Sequence, residues 1–387
     1  MSKNASSEAA RADVQLTRVQ KRLFRVIVAG VVLAAFVLLL VGAEYAVRRR
    51  ERTRTTPPDF FPCTYYPHKR LRYGMIPNYD YFGWFRINSE GFRGRDFSPQ
   101  KQPGALRVIC IGGSTTFDIG SVGRDLPWPE ALEQELSRRI PGRRVEVINM
   151  GIPGATALDA LIDLQMRGMK YEPDLAVLYQ GHNDFVYSIF PDRPKKSTLY
   201  PLEQRPRGWV VRWLEQKSLL YGKGQGVLWG LWDRATGVFS GPEGPPLTAE
   251  QKNKFIEDSF SAFRANLGSF LVVARENGIA VALPEVAIPY RADGRPGECR
   301  ACDGLSPAYG GLPLPRVTTM FARYNSASEE LARRHGAHFI DTDGFAPADD
   351  EHFHDSVHFA PKGSLQFGTK LGEAIAPILQ GASAPAP

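Results

Sequence analysis

From residue 106 onward the chain alternates short apolar runs with longer amphipathic stretches, and that alternation restricts it to a small set of folds. The runs at 106–111, 145–149, 175–179, 279–283 and 337–340 have the length of buried strands. The stretches at 129–139, 156–169, 252–276, 317–334 and 361–378 carry apolar residues at helical spacing. A strand followed by a helix and another strand calls for crossover connections, which lay helices on both faces of a parallel sheet. The predicted architecture is therefore α/β, a three-layer sandwich with a central parallel sheet. With 387 residues and 43% hydrophobic content, the chain can bury one substantial core and still carry insertions.

Such a sheet gathers chemistry at the carboxyl ends of its strands, and the polar residues that follow the apolar runs fit that rule. Ser114 in Gly112-Gly113-Ser114-Thr115-Thr116 stands where a strand ends and a helix can begin, a position that exposes its hydroxyl to a positive field. A serine hydroxyl needs a base within hydrogen-bond reach, and an imidazole suits that task at neutral pH. His358 in Asp355-Ser356-Val357-His358 is the candidate base. Asp355, three residues earlier, is placed to accept the Nδ1 proton and stabilise the imidazolium. A developing oxyanion needs donors, and the Ser114 N–H, the Gly151 N–H and the Asn183 side-chain amide are the candidates.

In these residues the chain resembles the SGNH or GDSL hydrolase family. Its four blocks occur in order as Gly113-Ser114, Gly151, Gly181-x-Asn183-Asp184 and Asp355-x-x-His358, over roughly residues 105–380. The resemblance implies a flavodoxin-like fold, with Ser114 as nucleophile and oxyanion donor, Gly151 and Asn183 as further donors, Asp355 orienting and His358 as base. It also implies an esterase or acyl hydrolase acting on an ester-bearing small molecule or glycan without a cofactor or metal. One departure is Gly113, where the family usually has Asp before the serine; it bears on how the serine turn is braced. An O-acyltransferase that passes the acyl group to a sugar hydroxyl would use the same residues. A non-catalytic glycan-binding or assembly protein would not need all of them.

Each block has an ordinary structural alternative: Ser114 as a helix N-cap, Gly151 as a turn residue, Asn183-Asp184 as a capped turn. Their joint order is what favours catalysis. The histidine-rich run Glu351-His352-Phe353-His354 before Asp355 and His358 also offers zinc ligands. That reading leaves Ser114, Gly151 and Asn183 without a role, so His352 and His354 are expected to be loop residues.

The formal net charge of +7 resembles a nucleic-acid signal until it is located. Residues 1–54 hold 11 Lys and Arg against 4 Asp and Glu, and the remainder is formally neutral, so no nucleic-acid partner is expected. The basic excess flanks residues 26–43, which contain no charged residue. As a helix, 18 such residues reach about 27 Å, enough to cross a bilayer. A single-span anchor is preferred to a cleaved signal peptide, because the apolar core exceeds the usual length. Arg11, Arg18, Lys21, Arg22 and Arg25 on one side balance Arg48, Arg49, Arg50, Arg52 and Arg54 on the other, so charge does not orient the span. Resemblance to anchored bacterial SGNH proteins implies a periplasmic or extracellular catalytic domain.

The expected organisation is a cytoplasmic tail at 1–25, an anchor at 26–43, a linker with a hairpin or lid at 44–104, a hydrolase domain at 105–380 and a disordered tail at 381–387. Residues 87–93 read as the hairpin. An insertion at 185–250 carries Trp209 and Trp213 at i, i+4 and Trp229 and Trp232 at i, i+3, which predicts two amphipathic pieces. Its leading reading is a segment packing its aromatics on the sheet, with a lid, acyl pocket or membrane-contacting surface as alternatives. The glycine-rich run 222–226 between the pieces is expected to be a flexible loop. Cys110, in an apolar strand, is expected to be inert core. Cys299 and Cys302 read as a loop disulfide, half a metal site or a redox pair.

Overall fold

The computed structural model describes residues 17–52, 65–67, 73–81, 83–189, 209–236, 248–289, 309 and 312–381. Cys299, Cys302, the tail beyond Gly381 and the first sixteen residues of the N-terminal tail lie outside them. Helix α1 (Arg18–Arg52) extends the 26–43 run at both ends. Its apolar side chains stand clear of the fold, Leu38 keeping 71% of its accessible surface, and the helix is long and apolar enough to cross a membrane. Two antiparallel pairs follow, β1 (Tyr65–Pro67) with β2 (Tyr73–Met75) and β3 (Tyr79–Asp80) with β4 (Arg86–Ile87).

The five-stranded sheet comprises β5 (Leu106–Gly112), β6 (Val145–Asn149), β7 (Leu175–Tyr179), β8 (Ala280–Pro284) and β9 (His338–Ile340). Every neighbouring pair is parallel, in the order β6-β5-β7-β8-β9. All residues of β5 and β7 are buried, as helices on both faces require. The helices are α2 (Ser114–Phe117), α3 (Trp128–Arg139), α4 (Ala157–Met166), α5 (His182–Ile189), α6 (Trp209–Lys217), α7 (Leu219–Thr236), α8 (Ala249–Glu276), α9 (Leu314–His335) and α10 (Pro361–Gly381). The expected α/β sandwich is present, and the strand order reverses at β5, between β6 and β7. The helix expected at 156–169 stops at Met166; a 3-10 turn over Gly168–Tyr171 then delivers Tyr171 into the core against Phe92 and Phe97.

Helices α3 and α10 form one layer, and α4, α5, α8 and α9 the other. Gly368 and Gly372 set the first layer's spacing: an added Cβ at Gly368 would collide with the Trp128 carbonyl, and one at Gly372 would sit 2.8 Å from Glu135 carbons. Within β5, the fully buried Arg107 donates to Glu146 at 2.6 and 3.0 Å and to the carbonyls of Ser98, Pro99 and Tyr171. A buried guanidinium is tolerated only when so completely paired.

The segment at 87–93 is a hairpin, but it is packed as a brace. Asn88 closes its turn by accepting from the Glu90 and Phe92 N–H groups, both at 3.0 Å. Arg93 then bridges to both Ile87 and Asn149, joining the hairpin to the β6 edge of the sheet. Met75, Tyr79, Trp84, Phe85 and Ile87 form a buried cluster with Phe117, Ile152 and Ala155.

The insertion forms the two helical pieces expected, while the side chains of Trp209, Trp229 and Trp232 lie outside the described residues. Trp209 and Trp213 lie on α6 and Trp229 and Trp232 on α7, but the near neighbours of α7 among the described elements are α6 and α1. Residues 222–226 are not a loop; they are helical within α7. Each glycine costs a helix about 1 kcal/mol, which is offset here by a cap from another element: the Glu44 carboxylate of α1 accepts from the Leu219 and Leu220 N–H groups, both at 3.0 Å.

Candidate active site

Ser114 opens α2 directly after β5, and this short helix is held at both ends. Thr116 Oγ1 donates to the Tyr179 carbonyl at 3.3 Å, and the Trp128 indole donates to the Thr115 carbonyl at 2.8 Å. At the far end Arg93 Nη1 donates to the carbonyls of Phe117 at 2.7 Å and Asp118 at 2.6 Å, while Nη2 reaches the Ser121 carbonyl. Its guanidinium lies 4.9 Å from the Phe117 ring centroid. Asp118 ends the helix in a left-handed conformation, φ 64°. Its buried carboxylate accepts from the Trp128 N–H, from Ser121 and from Ser364 on α10. One carboxylate thus ties the Ser114 helix to the helix that follows His358.

The loop before α10 carries the last block. Asp355 Oδ1 accepts from the Val357 and His358 N–H groups at 2.8 Å, and Oδ2 lies 2.7 Å from His358 Nδ1. His358 Nε2 lies 2.8 Å from Ser114 Oγ, 244 residues away in sequence. Burial alone would raise the Asp355 carboxyl, but the charge and hydrogen bond of His358 and the two N–H donors outweigh it, holding the group well below the usual carboxylate range. An ionised Asp355 can only accept, so Nδ1 carries the proton and Nε2 accepts from the Ser114 hydroxyl. Further backbone bonds, His354 N–H to the His358 carbonyl at 2.8 Å and Ala360 N–H to the His352 carbonyl at 2.9 Å, close this loop on itself.

Asn183, in the first turn of α5, donates to the Ala155 carbonyl at 2.8 Å. A Cβ added to Gly113 would collide with the Asn183 amide nitrogen. The glycine at 113 therefore gives Asn183 its approach to the serine turn. Asp184 behind it accepts from the Ala157 N–H at 3.1 Å and from Gln180 Nε2 at 3.2 Å; burial pushes its carboxyl up to about 7. A shallow, open depression lies beside these residues, lined by Thr115, Tyr179, Gln180, His182, Asn183 and Val286.

Gly151 is placed differently from the other candidates. Its N–H donates to Asn149 Oδ1 at 3.0 Å, and an added Cβ would strike the backbone of Phe117. It is a packing glycine beneath α2. The stretch next to Asn183 and Gly113 is instead Gly154-Ala155, where Gly154 has φ +84° and its carbonyl accepts from Tyr187 at 3.0 Å. Gly154, Arg93, Asp118 and Trp128 had no site role assigned from sequence alone. Of these only Gly154 carried a local signal, the Pro153-Gly154 turn pair.

The remaining expected residues have other tasks. His352 lies 2.6 Å from Asp349 and 3.1 Å from Gln366 through its two ring nitrogens. Among the described residues no three His, Cys, Asp or Glu side chains are grouped to hold a metal ion. Burial pushes the Cys110 thiol up, and Cys110 lies in the core.

A parallel sheet with a serine at the end of its first strand, hydrogen-bonded to a histidine that a carboxylate orients, defines an α/β serine hydrolase of the SGNH type. Residues 110–364 match the GDSL-like Lipase/Acylhydrolase family, and the chain belongs to that family. Ester hydrolysis is the chemistry of the family. Solved structures similar to it include an alpha/beta hydrolase enzyme from the metagenome of Lake Arreo, Spain, with 15% identity, 71% of this chain and 97% of that chain covered, and a TM-score of 0.41. A catalytic mutant of an acetylxylan esterase from Geobacillus stearothermophilus has 14% identity, coverages of 71% and 95%, and a TM-score of 0.39. A GDSL-like lipase from Bacteroides thetaiotaomicron has 14% identity, coverages of 72% and 92%, and a TM-score of 0.39. No curated protein matches the chain.

Proposed function

We propose that this protein is a membrane-anchored esterase that cleaves acyl or acetyl esters, including those borne by glycans, through an acyl-serine intermediate. The observation that carries the reading is the continuous path from Asp355 through His358 to Ser114, at 2.7 and 2.8 Å. His358 Nε2 takes the Ser114 proton as Oγ bonds to the ester carbonyl carbon. Collapse of the tetrahedral intermediate expels the alcohol, which leaves with that proton. Water then attacks the acyl-serine, giving its proton to His358, and the carboxylic acid departs as Ser114 is restored.

The oxyanion would be received by the Ser114 N–H and the Asn183 amide, with the Gly154 N–H taking the place first given to Gly151. Support for that exchange is the contact of Asn183 with the Ala155 carbonyl, against the engagement of Gly151 with Asn149. The span at 26–43 would hold the domain outside the cytoplasm, as in the anchored proteins it resembles. Incubation with activated esters of increasing chain length, followed by intact mass measurement, tests the chemistry. Acyl adducts on the wild type that vanish in Ser114→Ala support it; wild-type turnover that persists in Ser114→Ala overturns it. Reporter fusions at the C-terminus test the side of the membrane.

A further inference from the structure

Where α1 leaves its apolar stretch, its next residues are committed to another helix. Glu44 follows Ala43 directly, and its carboxylate caps the start of α7 through the Leu219 and Leu220 N–H groups and the Ser218 hydroxyl, the last at 2.8 Å. Arg48 completes the joint, donating to Glu44 at 2.7 Å and to the Lys217 carbonyl at 2.5 Å. Four orphan N–H groups begin any helix; here the Leu219 and Leu220 N–H groups find their partner 175 and 176 residues earlier in the chain, while the Tyr221 N–H bonds the Ser218 hydroxyl at 3.0 Å. The joint fixes the first turn of α7 at the level where the apolar run of α1 ends.

Beyond that turn α7 displays an apolar face. Val227, Leu228 and Leu231 retain 62%, 67% and 55% of their accessible surface, and at i, i+1 and i+4 they share one side of the helix. On α6, which packs against α7, Trp213 and Val210 are exposed as well. Apolar surface of this kind costs about 25 cal/mol per Å² when left in water, and a contiguous patch of it marks a contact with a partner or a membrane. Among the described elements α1, which packs against α7, carries a long run of exposed apolar side chains between Val19 and Val41. The two helices that carry these surfaces are joined at Glu44.

We infer that the Val227, Leu228 and Leu231 face of α7 is seated in the headgroup-acyl boundary of the same bilayer that α1 crosses. The inference rests on the reading of α1 as a membrane span. Helix α7 is about 27 Å long, and its glycines and the exposed Lys223 interrupt its apolar positions, so that it would lie along the bilayer surface instead of crossing it. Glu44 and Arg48 are the hinge pins of this arrangement: with α7 held flat on the membrane and α1 through it, the α6-α7 insertion becomes a second point of attachment.

The full-length protein in vesicles of phosphatidylethanolamine and phosphatidylglycerol provides the test, with the photoreactive p-benzoylphenylalanine replacing Leu228, Leu231, Leu33 or Glu276, one at a time. Turnover of an activated ester confirms that each variant is folded. After irradiation the expected result is a lipid adduct at positions 228 and 231 comparable to that at 33, with only background at 276. A lipid adduct at 33 accompanied by none at 228 and 231 overturns the proposal, as does a protein cross-link at 228 or 231. Absence of the adduct at 33 overturns the span beneath it, and the proposal falls with that reading.

Discussion

Arg93 Nη1 donates to the Phe117 carbonyl at 2.7 Å, so a residue of the N-terminal hairpin terminates the helix that begins with Ser114. Helix α2 has only four residues, too few to satisfy its own carbonyls, and the guanidinium supplies the missing donors from outside. Arg93→Ala is expected to lower both the melting temperature and kcat, because the carbonyls of Phe117, Asp118 and Ser121 lose a charged donor together. Hydrogen bonds to charged groups contribute about 1.5–3 kcal/mol each. Arg93→Lys should regain part of the stability without the planar fork. Unchanged kcat in a folded Arg93→Ala enzyme would separate the brace from the chemistry.

Ser114→Ala and His358→Ala are each expected to abolish measurable ester turnover, while Asn183→Ala retains some. Loss of one oxyanion donor typically costs about 10² to 10³ in rate, less than loss of the nucleophile and base unit. Steady-state kinetics on a single activated ester gives the ordering. An Asn183→Ala enzyme as inert as Ser114→Ala would assign Asn183 a larger part than a single donor.

Two carboxylates set opposite pH dependences. Asp184 is raised by burial to about 7, so the fold favours its protonated form; the stability this contributes is present below its ordinary value near 3.8 and is lost as pH rises through about 7. Asp184→Asn should therefore reduce the fall in melting temperature between pH 5.5 and 8. For Asp355 the shift is downward, despite its burial, through His358 and the backbone donors, so its stabilisation holds above the ordinary carboxylate value and disappears only in acid. Asp355→Asn should flatten the acid limb of the stability profile and lower kcat, by about 10⁴ if it acts as the orienting acid of a serine triad does. Melting curves across pH for both variants provide the check.

Deletion of residues 1–54 is expected to leave ester turnover intact, since Ser114, Asn183, Asp355 and His358 all lie beyond the removed segment. The same deletion removes the Glu44 cap from α7. Loss of a helix cap costs about 0.5–2 kcal/mol, and α7, with its glycines, has little helix propensity to spare. Limited proteolysis should then cut within 217–236 in the truncated protein and in full-length Glu44→Ala, but slowly in the wild type. Equal resistance in all three would remove the cap from any stabilising role.

The sequence by itself determined the parts whose physics is local. The apolar runs that became β5, β6 and β7 read correctly to within a residue, because burial on both faces writes a continuous apolar string. Ser114, Asn183 and His358 were legible because strand ends and turns carry their own residue preferences, and because four short blocks kept one order. What the tertiary structure decided were pairings across long separations. Gly151 and Gly154 lie three residues apart in one turn, and only its folded path commits Gly151 to Asn149 and brings Ala155, the neighbour of Gly154, against Asn183. The glycine-rich 222–226 run reads as a loop until Glu44 arrives to cap it. Arg93 and Arg107 look like surface charges or interruptions in apolar text, yet both are buried, since only the folded chain supplies the carbonyls and the carboxylate that make burial affordable. Local periodicity records which way a residue faces; the partner that waits there is fixed only when distant segments meet.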